Sequence, residues 1–385
     1  VPLGVVGPRR TPLPGSGTLA AVAGDAISFA RGAPSPDLIP AAELAECAHE
    51  AARRVGASVF AYGPGAGYQP LREWIAGRHE VDPERVVLTV GGLLGFALFA
   101  AEMLARRPGR VLVEAPTYDR PLKILAREGA EIVPLAMDDE GLEPAALEEE
   151  LRRTTAPASF LYTIPTFQNP SGRTLSAARR QRIAEIAAEH ELPVLEDDPY
   201  GLVRYEGEPP ALLHALAGGE LVTYTSSFSK TVAPGLRTGY FVLPAGEAQG
   251  FEERAVSTYI SPPFLTHATI FEFVQRGLFE PNLERVRAAL CARRDAMVAA
   301  LESSFPDEAS WSRPQGGYFL WLDLGGERST SEFAARAAES GVGIVRGEDF
   351  FPPESGQGLS SARLAFSYEV PERIEEGIAR LASLL

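Results

Sequence analysis

The sequence predicts an α/β protein built around a mostly parallel β-sheet, with a smaller α+β domain towards its C-terminus. Two observations lead to this prediction. Between residues 85 and 243, seven short runs rich in β-branched residues alternate with longer Ala-rich segments of helical period. The 385 residues, 45% hydrophobic and 23% charged, are enough for a large body and a smaller companion. Strand followed by helix, repeated, is typical of a parallel sheet flanked by helices.

Each element of this sheet has its own signal. The predicted strands are residues 85–90, 110–114, 131–135, 158–164, 193–197, 221–225 and 238–243. Among the helices between them, residues 177–189 place Ile183, Ile186 and Ala187 on one face, and Ser176 stands where it would cap the N-terminus. The pattern therefore predicts a seven-stranded sheet with helices packed on it.

The pattern changes near Pro281. A long Arg- and Ala-rich helix at 283–303 is followed by a strand-like run at 317–323, a helix near 331–340, a second run at 362–367 and a final helix opened by Pro371. This order is typical of an α+β module. We therefore expect three parts: an N-terminal arm, 1–45, that joins the small domain; a large α/β domain, 46–280; and the small domain, 281–385.

The charge balance argues against several classes of partner. Lys and Arg number 36 against 51 Asp and Glu, a formal net charge of −15. That field repels nucleic acid and anionic membrane surfaces. No apolar run reaches the roughly eighteen residues of a membrane span, and the first residues lack the pattern of a signal peptide. The five histidines show no metal-ligand spacing. The sequence predicts a cytoplasmic protein without a metal, membrane or nucleic-acid partner.

Lysine is scarce, which narrows the search for amine chemistry. Only Lys123 and Lys230 occur, so any covalent chemistry of an amine has two candidates. Lys230 lies just after a predicted strand, with Ser227, Ser229 and Arg237 close by. Such a turn can hold a phosphate through Ser and Arg while it presents an amine to an aldehyde. A polar loop with an exposed lysine would show the same pattern.

Four other predicted strands end in residues that suit a ligand site. Asp197 ends one strand, Gly92 follows a strand and starts a helix, Tyr118 lies just past a third, and Asn169 follows a fourth. The carboxyl edge of such a sheet faces the ligand crevice. Each residue alone is more commonly a turn former or a cap. Five such sites at one edge of a sheet indicate a binding site.

In type and order these residues resemble the pyridoxal-phosphate (PLP) enzymes of class I/II with the aspartate-aminotransferase fold, also called fold type I. The chain is most similar to the branch of the 2-aminoadipate aminotransferases and the aminotransferase-like domains of bacterial regulators. The resemblance runs from about Ile27 to the C-terminus. The family's Ser-x-Ser-Lys motif matches Ser227 to Lys230. It implies that Lys230 is the Schiff-base lysine and proton shuttle and that Arg237 binds the phosphate.

The resemblance also implies the remaining contacts to the cofactor. Asp197 matches the acid that pairs with the pyridine nitrogen, and Tyr118 matches the aromatic that stacks on the ring. Tyr200 and Asn169 match the groups that hydrogen-bond the phenolate oxygen. The amides of Gly92 and Leu93, with Ser227 and Ser229, stand at the phosphate. Relatives usually carry polar residues such as Ser-Gln where this chain has Gly92-Leu93, so backbone amides would have to suffice there.

Substrate contacts follow from the same resemblance. Arg363 matches the arginine that grips the substrate α-carboxylate through a bidentate fork, and Gly32 and Asn169 match neighbours of that carboxylate. Arg31 replaces a residue that is often glycine, and it would contact an acidic substrate side chain or lie in solvent. Arg346 stands where proline is common among relatives. Tyr62 matches the tyrosine that reaches the phosphate of the neighbouring subunit's cofactor, which implies a homodimer.

The function implied is transfer of the α-amino group of an amino acid to a 2-oxo acid through PLP held as an imine on Lys230. The same residues would also serve a C–S or other β-lyase, a decarboxylase or a ring-forming synthase. A PLP-binding sensor without turnover is a further alternative. The sensor is disfavoured because the related regulators carry an N-terminal DNA-binding domain, and fewer than thirty residues precede Ile27 here.

Overall fold

The computed structural model describes residues 26–153, 156–326, 328–353 and 355–385. The strands are β1 (Ile27–Ser28), β2 (Val86–Thr89), β3 (Arg110–Ala115), β4 (Glu131–Asp138), β5 (Gly141–Leu142), β6 (Ala158–Thr163), β7 (Val194–Asp197), β8 (Val222–Ser227), β9 (Gly239–Val242), β10 (Ser310–Trp311), β11 (Phe319–Asp323), β12 (Val342–Gly343), β13 (Val345–Arg346) and β14 (Ser361–Ala365).

The helices are α1 (Ala41–Val55), α2 (Gln69–His79), α3 (Gly92–Arg106), α4 (Asp119–Arg127), α5 (Pro144–Arg153), α6 (Ala177–Glu189), α7 (Leu213–Leu216), α8 (Ala248–Tyr259), α9 (Phe264–Gln275), α10 (Phe279–Ser304), α11 (Thr330–Glu339) and α12 (Pro371–Ala382). None of the helices in the described ranges has the length and apolar character needed to cross a membrane.

The large sheet has the order β2-β9-β8-β7-β6-β3-β4-β5. All seven predicted strands form, and the structure adds β5, a two-residue edge strand antiparallel to β4. From β8 to β4 neighbouring strands run parallel, whereas β9 is antiparallel to both β2 and β8. The carboxyl ends of β3, β6, β7 and β8 therefore meet at one edge of the sheet, where a ligand crevice is expected.

Strand β3 shows how the sheet separates two layers of helices. Val111 and Val113 belong to a core that includes Phe96 of α3 and Leu122 of α4. The intervening Leu112 points to the opposite face and belongs to the core of α5 and α6. Successive side chains of a strand alternate between faces, so a strand buried on both sides reads as a continuous apolar run. Each fully buried side chain of this kind contributes about 1.5 to 3 kcal/mol.

The C-terminal elements form their own antiparallel sheet, in the order β10-β11-β14-β13. The long helix α10 begins at Phe279 rather than at Leu283 as predicted. Pro281 lies in its first turn, where the missing N–H of proline has no intrahelical partner to lose. The N-terminal strand β1 pairs in parallel with β12, so residues 27–28 join this part of the molecule. The first 25 residues of the predicted N-terminal arm lie outside the described residues.

The predicted cap of α6 is only half right. Ser176 stands at the N-cap position with extended backbone, but its side chain makes no capping hydrogen bond. Its hydroxyl is instead buried without a partner among the described residues, while its backbone N–H bonds to the Glu140 carbonyl. The helix is held by the burial of Ile183 and Ile186.

Candidate active site

A cavity of about 360 Å³ opens at the carboxyl edge of the large sheet. Most of the predicted site residues line it: Gly32, Gly92, Leu93, Tyr118, Asn169, Asp197, Tyr200, Ser227, Ser229, Lys230, Arg237 and Arg363. Its size is typical of a small-molecule site. Its wall combines residues of the N-terminal segment, of the large sheet and of the C-terminal sheet, so three distant parts of the chain build it.

Lys230 occupies the turn that follows β8. Its Nζ donates to the carbonyl of Gly32, and its own carbonyl accepts a hydrogen bond of 2.8 Å from the Tyr318 hydroxyl. Burial lowers the pKa of Lys230 to about 8, and the positive charges of Arg363 and Arg237 act in the same direction. A lysine with this pKa is partly unprotonated near neutral pH and can act as a nucleophile or a base.

Asp197 is the last residue of β7 and opens onto the same cavity. The hydroxyl of Tyr162 donates to its Oδ2 at 2.8 Å. Burial raises the pKa of Asp197 to about 7, and the carboxylates of Asp198 and Glu114 add to the rise. No arginine or lysine of the described ranges forms an ion pair with it. A cation bound in the cavity would therefore stabilise the ionised carboxylate.

The N-terminus of α3 forms one end of the cavity. The first intrahelical bond runs from the Gly95 N–H to the Gly91 carbonyl, so the amides of Gly92 and Leu93 have no acceptor within the helix. Amides at a helix N-terminus favour an anion. The Arg237 guanidinium lies across this turn, where a Cβ on Gly91 would come within 2.2 Å of it. Gly91 has φ of +80°, a backbone conformation that favours glycine.

The hydroxyls of Ser227 and Ser229 line the same end of the cavity. Neither forms a hydrogen bond within the described part of the chain. Together with Arg237 and the α3 amides they provide hydrogen-bond donors and one fixed positive charge. This set suits a phosphate group.

Arg363 projects from β14 into the other side of the cavity. Its Nη1 donates to Asn169 Oδ1 at 3.0 Å and its Nη2 to the Ala30 carbonyl at 2.8 Å, while Phe319 and Phe350 pack on the guanidinium. Its Nε is buried and has no partner among the described residues. Burial lowers the pKa of Arg363. A buried guanidinium that meets no carboxylate of the described chain suits the carboxylate of a ligand.

Asn169 and Gly32 stand beside this guanidinium. Because Asn169 Oδ1 accepts from Arg363, its Nδ2 remains a donor for a ligand oxygen. A Cβ on Gly32 would come within 2.6 Å of the Phe319 ring. Glycine thus lets the N-terminal segment lie against that ring while its carbonyl meets Lys230.

Aromatic side chains form the rest of the wall. Tyr118 immediately precedes α4, and burial raises its pKa to about 12. Tyr200 is buried, with its pKa raised well above its usual value by burial, and packs against Tyr318 and Phe319. Both tyrosines therefore remain protonated donors at neutral pH. Flat walls of this kind suit an aromatic ring.

Two predicted site residues, Arg31 and Tyr62, are not in the cavity wall. Arg31 donates from Nη1 to the Tyr368 hydroxyl at 2.7 Å and stacks on that ring, so its guanidinium has a partner outside the cavity. Arg346, whose role the sequence left open, pairs with Glu348 and Asp349. A contact between Arg31 and substrate stays a prediction. The side chain of Tyr62 is 79% exposed.

Tyr62 lies among other exposed apolar residues. Phe60 is 71% exposed, and Ile260 and Val256 of the neighbouring α8 region are about half exposed. The loop that follows Tyr62 packs against α8, because a Cβ on Gly65 would come within 2.5 Å of Val256. Exposed apolar residues grouped in this way mark an interaction surface.

Several residues of the site were not predicted from the sequence. Phe319 and Thr225 line the cavity, and so do Asp119 and Arg120 at the start of α4. Tyr162 touches Asp197 from the middle of β6. An aromatic residue inside an apolar strand has the pattern of a core residue, and its packing against Phe96 agrees with that pattern. Ser159 and Thr163 of the same strand also carry hydroxyls, so the hydroxyl of Tyr162 gave no distinct signal in the sequence.

Comparison with known proteins places these features in a family. The family model described as aminotransferase class I and II matches residues 25–376. Aromatic-amino-acid aminotransferase 1 of Thermococcus litoralis is 33% identical, with 94% of this chain and 88% of that protein aligned. The 2-aminoadipate transaminase of Thermus thermophilus is 34% identical, over 93% of this chain and 90% of that protein.

A solved structure gives the same result for the fold. The α-aminoadipate aminotransferase of Thermus thermophilus, complexed with N-(5'-phosphopyridoxyl)-L-leucine, superposes with a TM-score of 0.88 and 33% identity. The match covers 93% of this chain and 91% of that chain. The ligand of that structure joins a phosphopyridoxyl group to an amino acid.

Proposed function

This chain belongs to the class I and II aminotransferases of fold type I and uses pyridoxal phosphate to transfer amino groups, and on that premise we propose that Lys230 is its cofactor-binding lysine and the base of its proton transfers. The observation that carries the proposal is the meeting of the Lys230 amine, the Asp197 carboxylate and the Arg363 guanidinium in one cavity.

The residues present fit the cofactor. The α3 amides, Ser227, Ser229 and Arg237 would hold its phosphate, since they offer donors and a positive charge that meet no anion of the described chain. Asp197 would face the protonated ring nitrogen and Tyr118 the face of the ring. Asn169 and Tyr200 would donate to its phenolate oxygen. When bound, the cofactor supplies an electron sink that stabilises negative charge at the substrate Cα.

Arg363 would bind the substrate α-carboxylate. Its guanidinium is fixed by Asn169 and Ala30 on one side and by Phe319 on the other, so little rotamer freedom is lost on binding. Gly32 leaves room beside it. Fixing the carboxylate there holds the substrate Cα near the Lys230 amine.

The Lys230 Nζ would take the proton from the substrate Cα and later deliver it to the carbon of the cofactor that accepts the amino group. A pKa near 8 suits this task, because general bases work best with a pKa close to the working pH. The carbonyl of Gly32 holds the amine on the side of Arg363. Asp197 would keep the ring nitrogen protonated throughout.

Trapping with borohydride tests this assignment directly. Reduction of the protein loaded with pyridoxal phosphate fixes the cofactor to the amine that holds it, and peptide mass spectrometry then identifies the residue. We expect the label on Lys230 and none on Lys123, which is exposed and pairs with Asp119. Because the sequence holds only these two lysines, label on Lys123 alone, or no label, contradicts the proposal.

We further propose that two chains form a homodimer in which Tyr62 reaches the phosphate of the partner's cofactor. The grouping of Tyr62 with Phe60 and Ile260 supports a second copy as the occupant of this surface. Leu93 at the phosphate end of the cavity is partly exposed, which leaves room there for a residue of the partner subunit.

The division into parts and the location of the protein also remain proposals. We place the boundaries of the domains at residues 45 and 280. The pairing of β1 with β12 supports an arm that joins the small domain, and the start of α10 at Phe279 supports the second boundary. The cytoplasmic location is proposed from the sequence alone.

A further inference from the structure

Tyr162 makes a contact that core packing alone does not require. It lies in β6 with no exposed surface, and its ring packs at 5.0 Å from that of Phe96, which lines the cavity. Its hydroxyl donates to Oδ2 of Asp197 at 2.8 Å. The hydrogen bond fixes Oδ2 of Asp197, and Oδ1 is left without a partner in the described chain.

We propose that Tyr162 is a positioning residue that keeps Asp197 ionised and aimed at the ring nitrogen of the cofactor, so that the proton stays on that nitrogen. The proposal rests on the proposed role of Asp197 and adds the group that controls it. A hydrogen bond to an ionised carboxylate stabilises the charged form.

The surroundings of Asp197 make this bond important. Asp198 and Glu114 oppose its ionisation, and Lys230 favours it only while its amine is charged. The phenols of Tyr118 and Tyr200 lie close enough to sense the Asp197 charge. Burial raises the pKa of Tyr162 well above its usual value, so it remains a donor at every working pH. Without the hydrogen bond from Tyr162, burial and the charges of Asp198 and Glu114 would favour protonated Asp197. The proton of the ring nitrogen would then move to the Asp197 carboxylate.

The chain offers a matched control. Tyr224 is also buried, and its hydroxyl donates at 3.2 Å to Oδ2 of Asp198, the residue next to Asp197. Tyr162→Phe and Tyr224→Phe therefore remove the same atom from the same kind of contact. Only the first of the two carboxylates lines the cavity.

The test is the pH titration of the visible absorption band of each protein loaded with pyridoxal phosphate. A positive charge on the ring nitrogen lowers the pKa of the nearby lysine–cofactor linkage, so losing that charge raises it. We expect the midpoint to rise by about one pH unit in Tyr162→Phe and to stay in place in Tyr224→Phe. The kcat of Tyr162→Phe should fall about tenfold while KM changes little.

A cofactor analogue without the ring nitrogen tests whether the effect of Tyr162 depends on that nitrogen. Reconstitution with 1-deaza-pyridoxal phosphate, in which carbon replaces the ring nitrogen, should abolish the difference between wild type and Tyr162→Phe. Equal midpoints for wild type and Tyr162→Phe with the natural cofactor, or equal shifts in both variants, overturn the inference and leave the proposed function intact. A wild-type protein without a band overturns both. If Tyr162→Phe does not fold, 4-fluorophenylalanine at position 162 fills the space of the hydroxyl without donating a hydrogen bond and carries the same test.

Discussion

The Lys230 amine is reactive because it is buried next to two cations. An ordinary lysine has a pKa of 10.5, and burial, together with the charges of Arg363 and Arg237, lowers the pKa of Lys230 to about 8. Both cations are held in place by other contacts, Arg363 by Asn169 and Arg237 by the Pro234 carbonyl. The lowered pKa of Lys230 is therefore a property of the folded site.

This pKa predicts how the cofactor-free protein captures pyridoxal phosphate. Only the unprotonated amine attacks the aldehyde, so the rate should rise with pH and reach half its maximum near pH 8. The growth of the visible absorption band after mixing, followed over a range of pH, measures this rate. A midpoint at the ordinary lysine value of 10.5 contradicts the argument.

At the scale of elements, Arg180 ties the loop of Asn169 to the sheet. It is fully buried and donates to the carbonyls of Leu175 and Pro165 and to the Thr166 hydroxyl. Its Nη1 also lies 3.6 Å from Glu196, the neighbour of Asp197 in β7. One guanidinium thus links α6, the Asn169 loop and β7.

Loss of the Arg180 guanidinium should lower the stability of the fold. We expect Arg180→Met to lower the free energy of unfolding by about 3 to 5 kcal/mol, because it leaves Glu196 buried without its cation and removes the hydrogen bonds that the guanidinium donates. The adjacent Arg179 pairs with Asp138 near the surface, so Arg179→Met should cost less than about 1 kcal/mol. Urea unfolding of both variants checks the difference, and equal costs would refute this role of Arg180.

The elements could be predicted from the sequence where the signal was local. The seven main strands follow from β-branched runs, and Lys230, Asp197 and Asn169 follow from their place at strand ends. Two-residue strands such as β5 and β10 carry no periodic signal. Tyr162 was missed because it has the pattern of a core residue, and the bond from Arg31 to Tyr368 spans 337 positions that no local pattern connects.

At the scale of the whole molecule, the cavity closes only when distant parts of the chain meet. The N-terminal segment contributes Gly32 and Ala30, whose carbonyls accept from Lys230 and Arg363. That segment is held by β-type hydrogen bonds, such as the one from the Ala365 N–H to the Phe29 carbonyl at 2.8 Å. Binding of a ligand across these parts should stabilise the molecule as a unit.

The proposed dimer extends this argument to a second chain. Tyr62→Phe should weaken the affinity for pyridoxal phosphate about tenfold, since it removes a hydrogen bond to a charged group. Tyr368→Phe, which alters a hydroxyl outside the cavity, serves as the control. Titration of cofactor-free protein gives the affinities, and sedimentation gives the mass. A monomer that binds the cofactor with full affinity would disprove the role of Tyr62.

The central claim is that Lys230, Asp197 and Arg363 together move an amino group. The most direct measurement is the visible spectrum of the loaded protein as single amino acids are added, followed by a 2-oxo acid. We predict that the band fades with suitable donors, returns with the oxo acid, and does neither in Lys230→Ala. A band that persists with every amino acid, or one that fades with release of ammonia, would contradict the account.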